Sequence, residues 1–416
     1  MTSELAEIAA GETVCAGQPT TTTPTRAGHP ARPPLIRAMN EHLLLGEIRL
    51  AGQCSRADLA RVSGLSKPTV SLALANLERA GLVREAGQRT GVPGRSALLY
   101  EIRPEAGFVL ALDVGQQFLR GALADLSGAV RGRSSCKAVA SGAAGRVKEL
   151  VRLADDICAA AAIPRTAVTA TVIGSPGVYD PKRDAMTLIG GIRGWSNPST
   201  LAGLRDAFGP DLLVENDVDA EALAEQAHGR GRHVDTFAFV HVGTGIGLGL
   251  VIDGKLHRGA HGAAGEIAYL PLAADDEIDL TEAGRRGRLE AAASSSAMVR
   301  AARRAGLSGP VSARWVAEAA GRGDERAAAV MAREVQLVAD AVGCVISVAD
   351  PELVVLGGGI GRAPGFAEAV AAALADVTRV MPEVRVSVLG ADAVVDGCLA
   401  EGADLAWQRL TAALLG

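Results

Sequence analysis

The stretch VLALDVGQQFLRGALADLSG, residues 109–128, decides the fold class. Its first six residues form an apolar run with strand character, broken at Asp113 and closed by Gly115. A second run, LRGALADL, continues to a turn signal at Ser127-Gly128. Two strands joined by a short turn make a β-hairpin, and the first turn has the frame of a phosphate loop. Such a loop needs small residues, so that backbone N–H groups come close to the anion, and it gains from a hydroxyl. Here the positions hold Gln116, Gln117 and Phe118. Bulky side chains thus fill a frame in which a phosphate would want small ones.

A second Gly-rich turn, in FAFVHVGTGIGLGLVIDG (residues 237–254), also follows an apolar strand. Glycines there bring N–H groups close to a bound group without Cβ obstruction. Two such hairpins, embedded in strands and helices that alternate from residue 104 to the C-terminus, predict an α/β body built as two related lobes. Asp217 ends the strand-like LLVEND and precedes the helical DAEALAEQA. In that place it is either a helix cap or a base able to take a hydroxyl proton.

With 416 residues and 48% hydrophobic content, the chain suits two or three domains with substantial cores. No apolar run approaches the roughly 18 residues that suggest a membrane span. The N-terminus lacks the basic and apolar regions of a secretory signal. Six scattered cysteines without a CxxC pair give neither a disulfide framework nor a zinc knuckle, and fit a reducing cytoplasm. Net charge is -5 but uneven: residues 31–103 carry 11 Lys and Arg against 6 Asp and Glu. A basic segment on an acidic body points to a separate anion-binding module.

Residues 1–33, rich in Thr, Pro and Gly, are expected to form a disordered arm. Residues 34–103 then read as one module. Apolar residues recur at spacings of three and four in LIRAMNEHLLLGEIRLAG, which predicts a helix. Ser55 caps a short helix with Asp58 as capping-box partner, and Gly64 permits the turn that follows. Ser66 caps a longer helix that tolerates Pro68 in its first turn. Val70, Leu74 and Leu77 face Leu59 and Leu65, while Lys67, Thr69, Ser71, Asn76 and Arg79 project elsewhere. This is helix-turn-helix geometry. The segment GLVREAGQRTGVPGRSALLYEI adds strand, loop, strand, with Arg89 and Arg95 around the tip of a wing. Expected contacts to double-stranded operator DNA are Ser66, Lys67, Thr69, Ser71, Asn76, Arg89 and Arg95.

Several stretches together resemble the ROK family of repressors and sugar kinases. They are IGSPGVYDP, the Gly194-Trp195 pair, VENDVDAEALAE, RGAHGAAGEI and ADPELVVLGGGIG, in that order. The resemblance implies an actin-like, two-lobed sugar-kinase fold over residues 104–416, with a sugar in the cleft and a winged helix-turn-helix head. By that resemblance Asp217 stands at the kinases' catalytic base and Asn216 beside it as a sugar contact. Glu266, Tyr269 and Glu290 complete the implied ligand-binding set, with Tyr269 in place of a His. Gly191 stands where a sugar-contacting Asn belongs. The resemblance also implies a zinc site, but Thr281, Ala283 and Arg288 replace its cysteines, so no metal and no cofactor are expected. Arg285, Arg286 and Arg288 are expected to pair with the acidic stretch just upstream.

These readings converge on a cytoplasmic, homodimeric or homotetrameric transcriptional regulator of carbohydrate genes. A sugar or sugar derivative would bind in a kinase cleft that no longer phosphorylates. The rival is a bifunctional, ATP-dependent sugar kinase that keeps Asp217 and the second Gly-rich loop. A third reading is a DNA-binding protein with a dead pocket, governed by a protein partner.

Overall fold

Capping chemistry and apolar spacing build the head. In the computed structural model, which describes residues 33–89, 97–188, 191–272 and 278–415, α1 (Pro33–Ala51) leads into β1 (Gln53–Ser55) and α2 (Arg56–Ser63). Ser55 Oγ accepts from the Asp58 backbone N–H at 3.1 Å and the Ser55 N–H donates to the Asp58 carboxylate at 3.2 Å. That reciprocal pair satisfies two donors of the first turn. Gly64 ends α2 at φ 70°, a left-handed conformation that glycine adopts without Cβ strain. Ser66 then caps α3 (Lys67–Arg79) through the Thr69 N–H at 3.3 Å. Val70, Leu74 and Leu77 are buried against Leu59, with Leu65 at the margin of the same core.

The wing is β2 (Val83–Arg89) paired antiparallel with β3 (Ala97–Ile102). Strand β1, which pairs with the far edge of β3, is three residues long, too short to show a periodicity in the sequence. The expected disordered arm, apart from Pro33, lies outside the described residues.

In the first lobe, β4 (Phe108–Val114), β5 (Phe118–Asp125) and β6 (Val130–Lys137) form an antiparallel meander. After α4 (Ala143–Ala160), β7 (Val168–Ser175) pairs in parallel with β4. A small ribbon, β8 (Val178–Asp180) with β9 (Ala185–Thr187), and α5 (Pro198–Phe208) precede β10 (Leu213–Asn216). The sheet order is β10-β7-β4-β5-β6. Helix α6 (Asp217–His228) then crosses to the second lobe.

That lobe repeats the plan. A meander of β11 (Phe237–Val242), β12 (Ile246–Ile252) and β13 (Lys255–Leu256) is followed by the helices α7 (Leu280–Arg286), α8 (Arg288–Ala292), α9 (Ser295–Arg304), α10 (Ala313–Gly321) and α11 (Glu325–Ala349). Next come β14 (Leu353–Gly357), α12 (Gly358–Gly361), α13 (Phe366–Val377), β15 (Glu383–Val386) and α14 (Ala393–Leu415). Its order, β13-β12-β11-β14-β15, is the first lobe's topology repeated, with the same parallel and antiparallel pairs. The duplication expected from the two Gly-rich hairpins is present strand for strand. The fold is mixed α/β, two-lobed, with the winged head in front.

Helix α14 returns to pack on α6 and on β4 and β7 of the first lobe. Head and body share one apolar cluster, in which Leu44, Leu45, Ile48 and Tyr100 join Val109, Ala170, Ala406 and Trp407. No described helix is long and apolar enough to cross a membrane.

Candidate functional site

Between the lobes lies a cleft of about 210 Å³, set by the carboxyl end of β10 on one side and the β11–β12 turn on the other. That is below the roughly 300–1,000 Å³ of sites for drug-sized ligands and suits a smaller molecule. Asn216, Asp217, Glu266, Tyr269 and Glu290 all line it, so five residues from three separate stretches meet. Glu221, His241, Gln116 and Arg286 line it with them.

Asn216 is the residue before α6, and its side-chain oxygen accepts from the N–H groups of Val218 (2.8 Å) and Asp219 (3.1 Å). Its amide nitrogen donates to the Gly177 carbonyl at 3.0 Å. Asn216 therefore caps the helix and ties it to the loop after β7, with one amide N–H left for the cleft it lines. Asp217 takes the first helical position, where the helix dipole favours negative charge. Desolvation nonetheless raises its pKa to about 7, with the Glu221 charge adding to the rise and His241 opposing it.

Glu221 and His241 were not anticipated. His241 Nδ1 lies 2.6 Å from Glu221 Oε2. Burial lowers the imidazole's pKa, but the Glu221 charge and hydrogen bond outweigh it, so the net shift is upward. Alternation along β11 was the available signal: Phe237, Phe239 and His241 share one face, and the two phenylalanines pack with Ala222 of α6.

Across the cleft, burial and the Glu290 charge raise Glu266 to about 7. Glu290 Oε2 accepts from the Ile246 N–H at 3.2 Å and Oε1 from Arg286 at 3.1 Å. The second glycine-rich turn is packed by the protein itself. A Cβ at Gly245 would lie 2.5 Å from Glu290 Oε2, and one at Gly247 would lie 2.9 Å from a Val218 methyl. Arg286 reaches Glu290 and Glu282 at the cleft; most of the acidic stretch with which it was expected to pair, residues 273–277, lies outside the described residues. Asp279 of that stretch caps α7 through the N–H groups of Thr281 and Glu282.

On the first lobe, the β4–β5 turn is fixed from behind. Buried Arg146 donates to the Gly115 carbonyl at 2.8 Å and to the Ala140 carbonyl at 2.9 Å. Asp113, just before the turn, sits 3.2 Å from Arg120 and is raised to about 6 by desolvation, against the pull of Arg120. Among the described residues, no group of three or more His, Cys, Asp or Glu is placed to hold a metal ion.

In the head, Lys67 and Ser71 are exposed on α3, as is Ser66 at its start; Thr69 is half-buried and bonded to Ser66 at 2.8 Å. Asn76 is not presented outward. Its amide donates to Glu41 of α1 at 2.6 Å and its oxygen accepts from Arg79 at 3.0 Å, bracing α3 against α1. Arg89 ends β2, and Arg95 lies outside the described residues.

Two family models match this chain: one described as ROK family over residues 109–407, and one described as MarR family over residues 36–95. The xylose repressor of Bacillus subtilis (strain 168) is 28% identical over 268 residues, which is 64% of this chain and 68% of that protein. The crystal structure of a ROK hexokinase from Thermus thermophilus superposes with a TM-score of 0.61 at 27% identity, covering 71% of this chain and 97% of that one. A ROK family transcriptional regulator described as a homolog of E. coli MLC protein has a TM-score of 0.73 at 23% identity. It covers 92% of this chain, and 99% of its own length is matched. The last likeness extends over head and body together and concerns the fold.

Proposed function

The chain belongs to the ROK family, and from that premise we propose that it is a sugar-responsive transcriptional repressor acting in the cytoplasm. The observation that carries this reading is a winged helix with an exposed recognition helix, joined through one apolar core to a body with a small polar cleft. The MarR-type match to the head and the likeness to a xylose repressor support it. Two copies would set two recognition helices on a partly palindromic duplex. Lys67 and the wing residues Arg89 and Arg95 would meet phosphates, with Ser71 beside the base edges.

The cleft chemistry favours a neutral, hydroxyl-rich ligand. Asp217, Asp219, Glu221, Glu266 and Glu290 line it against His241, Arg285 and Arg286, and Arg286 is committed to Glu290. A phosphorylated sugar would bring more negative charge to a carboxyl-lined wall. Asp217 and Glu266, each raised to about 7, can donate to hydroxyls when protonated and accept from them when ionised. The Ile246 N–H, which a phosphate would want, is already taken by Glu290.

A sugar kinase with a DNA-binding head is the second reading. Asp217, raised to about 7 by burial, would serve there as the general base, and the likeness to a hexokinase of the family supports that reading. Asp217→Asn separates the two. ATP consumption with a panel of monosaccharides is measured beside operator binding. On the repressor reading, turnover is at background for wild type and variant, and the variant changes sugar affinity by about tenfold, the scale of one charged hydrogen bond. Sugar-dependent ATP turnover that Asp217→Asn lowers by orders of magnitude selects the kinase.

A further inference from the structure

Two loops of the first lobe meet at the mouth of the cleft. Gln116, on the β4–β5 turn, lines the cleft and is exposed to it. Gly191, in the segment before α5, has φ +91°, and a Cβ built there would lie 2.4 Å from Gln116 Nε2 and 2.9 Å from its Cδ. Gln116 thus occupies the space that a side chain at position 191 would fill. Its amide hydrogen-bonds to no described residue. The turn that carries it is tight and tied from behind: a Cβ at Gly115 would stand 2.5 Å from the Phe118 carbonyl oxygen, and Arg146 donates to the Gly115 carbonyl at 2.8 Å.

We propose that Gln116 is the residue by which the first lobe reads the ligand's hydroxyls, and that the bare backbone of Gly191 exists to seat it. This rests on the cleft being a sugar site. The opposite wall carries the carboxyls of Glu266 and Glu290, which accept hydrogen bonds when ionised. A glutamine amide supplies two donors and an acceptor with no charge. Held on a fixed turn, it fixes which edge of a ring sugar can face the first lobe. The two oddities of the sequence, bulk at 116 and nothing at 191, are then one arrangement: the amide comes from one loop because the other gives way.

The arrangement is tested with full-length protein by calorimetric titration with D-xylose, D-glucose, D-mannose and N-acetyl-D-glucosamine. Gln116→Ala is expected to weaken the tightest of these about tenfold, the scale of one neutral hydrogen bond with its desolvated partner. Gly191→Ala, which pushes the amide aside, should cause a similar loss, and the double variant should lose no more than either single one. The swap Gln116→Gly with Gly191→Asn carries an amide in from the other loop and should recover most of the affinity, since Asn accepts positive φ better than most residues. Circular dichroism melts report that each variant folds. A wild-type affinity retained by Gln116→Ala, or full additivity in the double variant, overturns the inference and leaves the sugar reading standing. Wild-type protein that binds none of the four overturns the sugar reading and this inference together.

Discussion

Several carboxyls among the described residues are held far above where they titrate in an unfolded chain. Desolvation raises Asp113 to about 6, Asp217 and Glu266 to about 7, and Glu334 to about 8. Between pH 4 and these values the folded protein binds protons that the unfolded chain has released, so these groups favour folding at low pH and the contribution is lost as pH rises through 6 to 8. Asp125 and Glu101 act in the opposite sense, since hydrogen bonds with neighbours hold both below their ordinary values. Glu334 isolates the effect. It is buried in α11, away from the cleft, and its Oε1 has no hydrogen-bond partner among the described residues. Glu334→Gln should melt with wild type near pH 4, where the Glu334 carboxyl is protonated in the folded protein and largely protonated in the unfolded chain. At pH 9 it should melt a few degrees higher, because only wild type must hold a buried charge. A melting difference that is the same at both pH values would show that the site is not titrating.

At the scale of elements, α14 shows how close backbone approach is written into single residues. A Cβ at Gly397 would lie 1.8 Å from the Ala220 carbonyl oxygen of α6, and one at Gly402 would lie 2.3 Å from a Val109 methyl. Gly397→Ala should therefore lift α14 off α6 and cost about 1–3 kcal/mol, as overpacked cores do. Gly203 in α5 is the control. It has open space around it, and Gly203→Ala should be neutral or stabilising by about 0.4–1 kcal/mol. Denaturant midpoints that moved alike would refute the packing argument. The same contrast explains what the sequence disclosed. The caps at Ser55 and Ser66 were legible because both partners lie within three residues. The two lobes were legible because each repeats a strand, a glycine turn and a strand. The Asn76–Glu41 bond was not legible because its partners lie 35 residues apart on different helices, and the His241–Glu221 pair exists only where β11 packs on α6. Arg286 faces the cleft because α7 carries it next to Glu290 across the break at Gly287, a geometry that a run of charges does not reveal.

For the whole molecule, the question is how a ligand in the cleft would reach the head, and α14 joins the two. Near its start, Val394 lines the cleft and packs against Gly174, with Arg120 and Arg133 of the first lobe holding the adjacent Asp392 and Asp396. Thirteen residues on, about 20 Å at 1.5 Å per residue, Trp407 lies in the shared core. There the Arg49 guanidinium of α1 stacks 4.9 Å from the indole centroid and its Nη2 lies 2.6 Å from Asp404. A ligand that draws the lobes together acts on the near end of this helix, and the head rests on the far end. If the cleft binds a sugar as proposed, a coupling of about 1–3 kcal/mol would change operator affinity about 5- to 150-fold. Arg49→Ala touches neither site, and the exposed ion pair it removes is worth about 0–1 kcal/mol, so the protein should fold. Sugar affinity without DNA should hold, and operator affinity without sugar should change little. The ratio of operator affinities with and without sugar should move toward one, and Asp404→Asn should move it in the same direction by less, because the stacking remains. A ratio unchanged in both variants, measured by fluorescence anisotropy at one fixed salt concentration, would place the coupling in another contact between head and body.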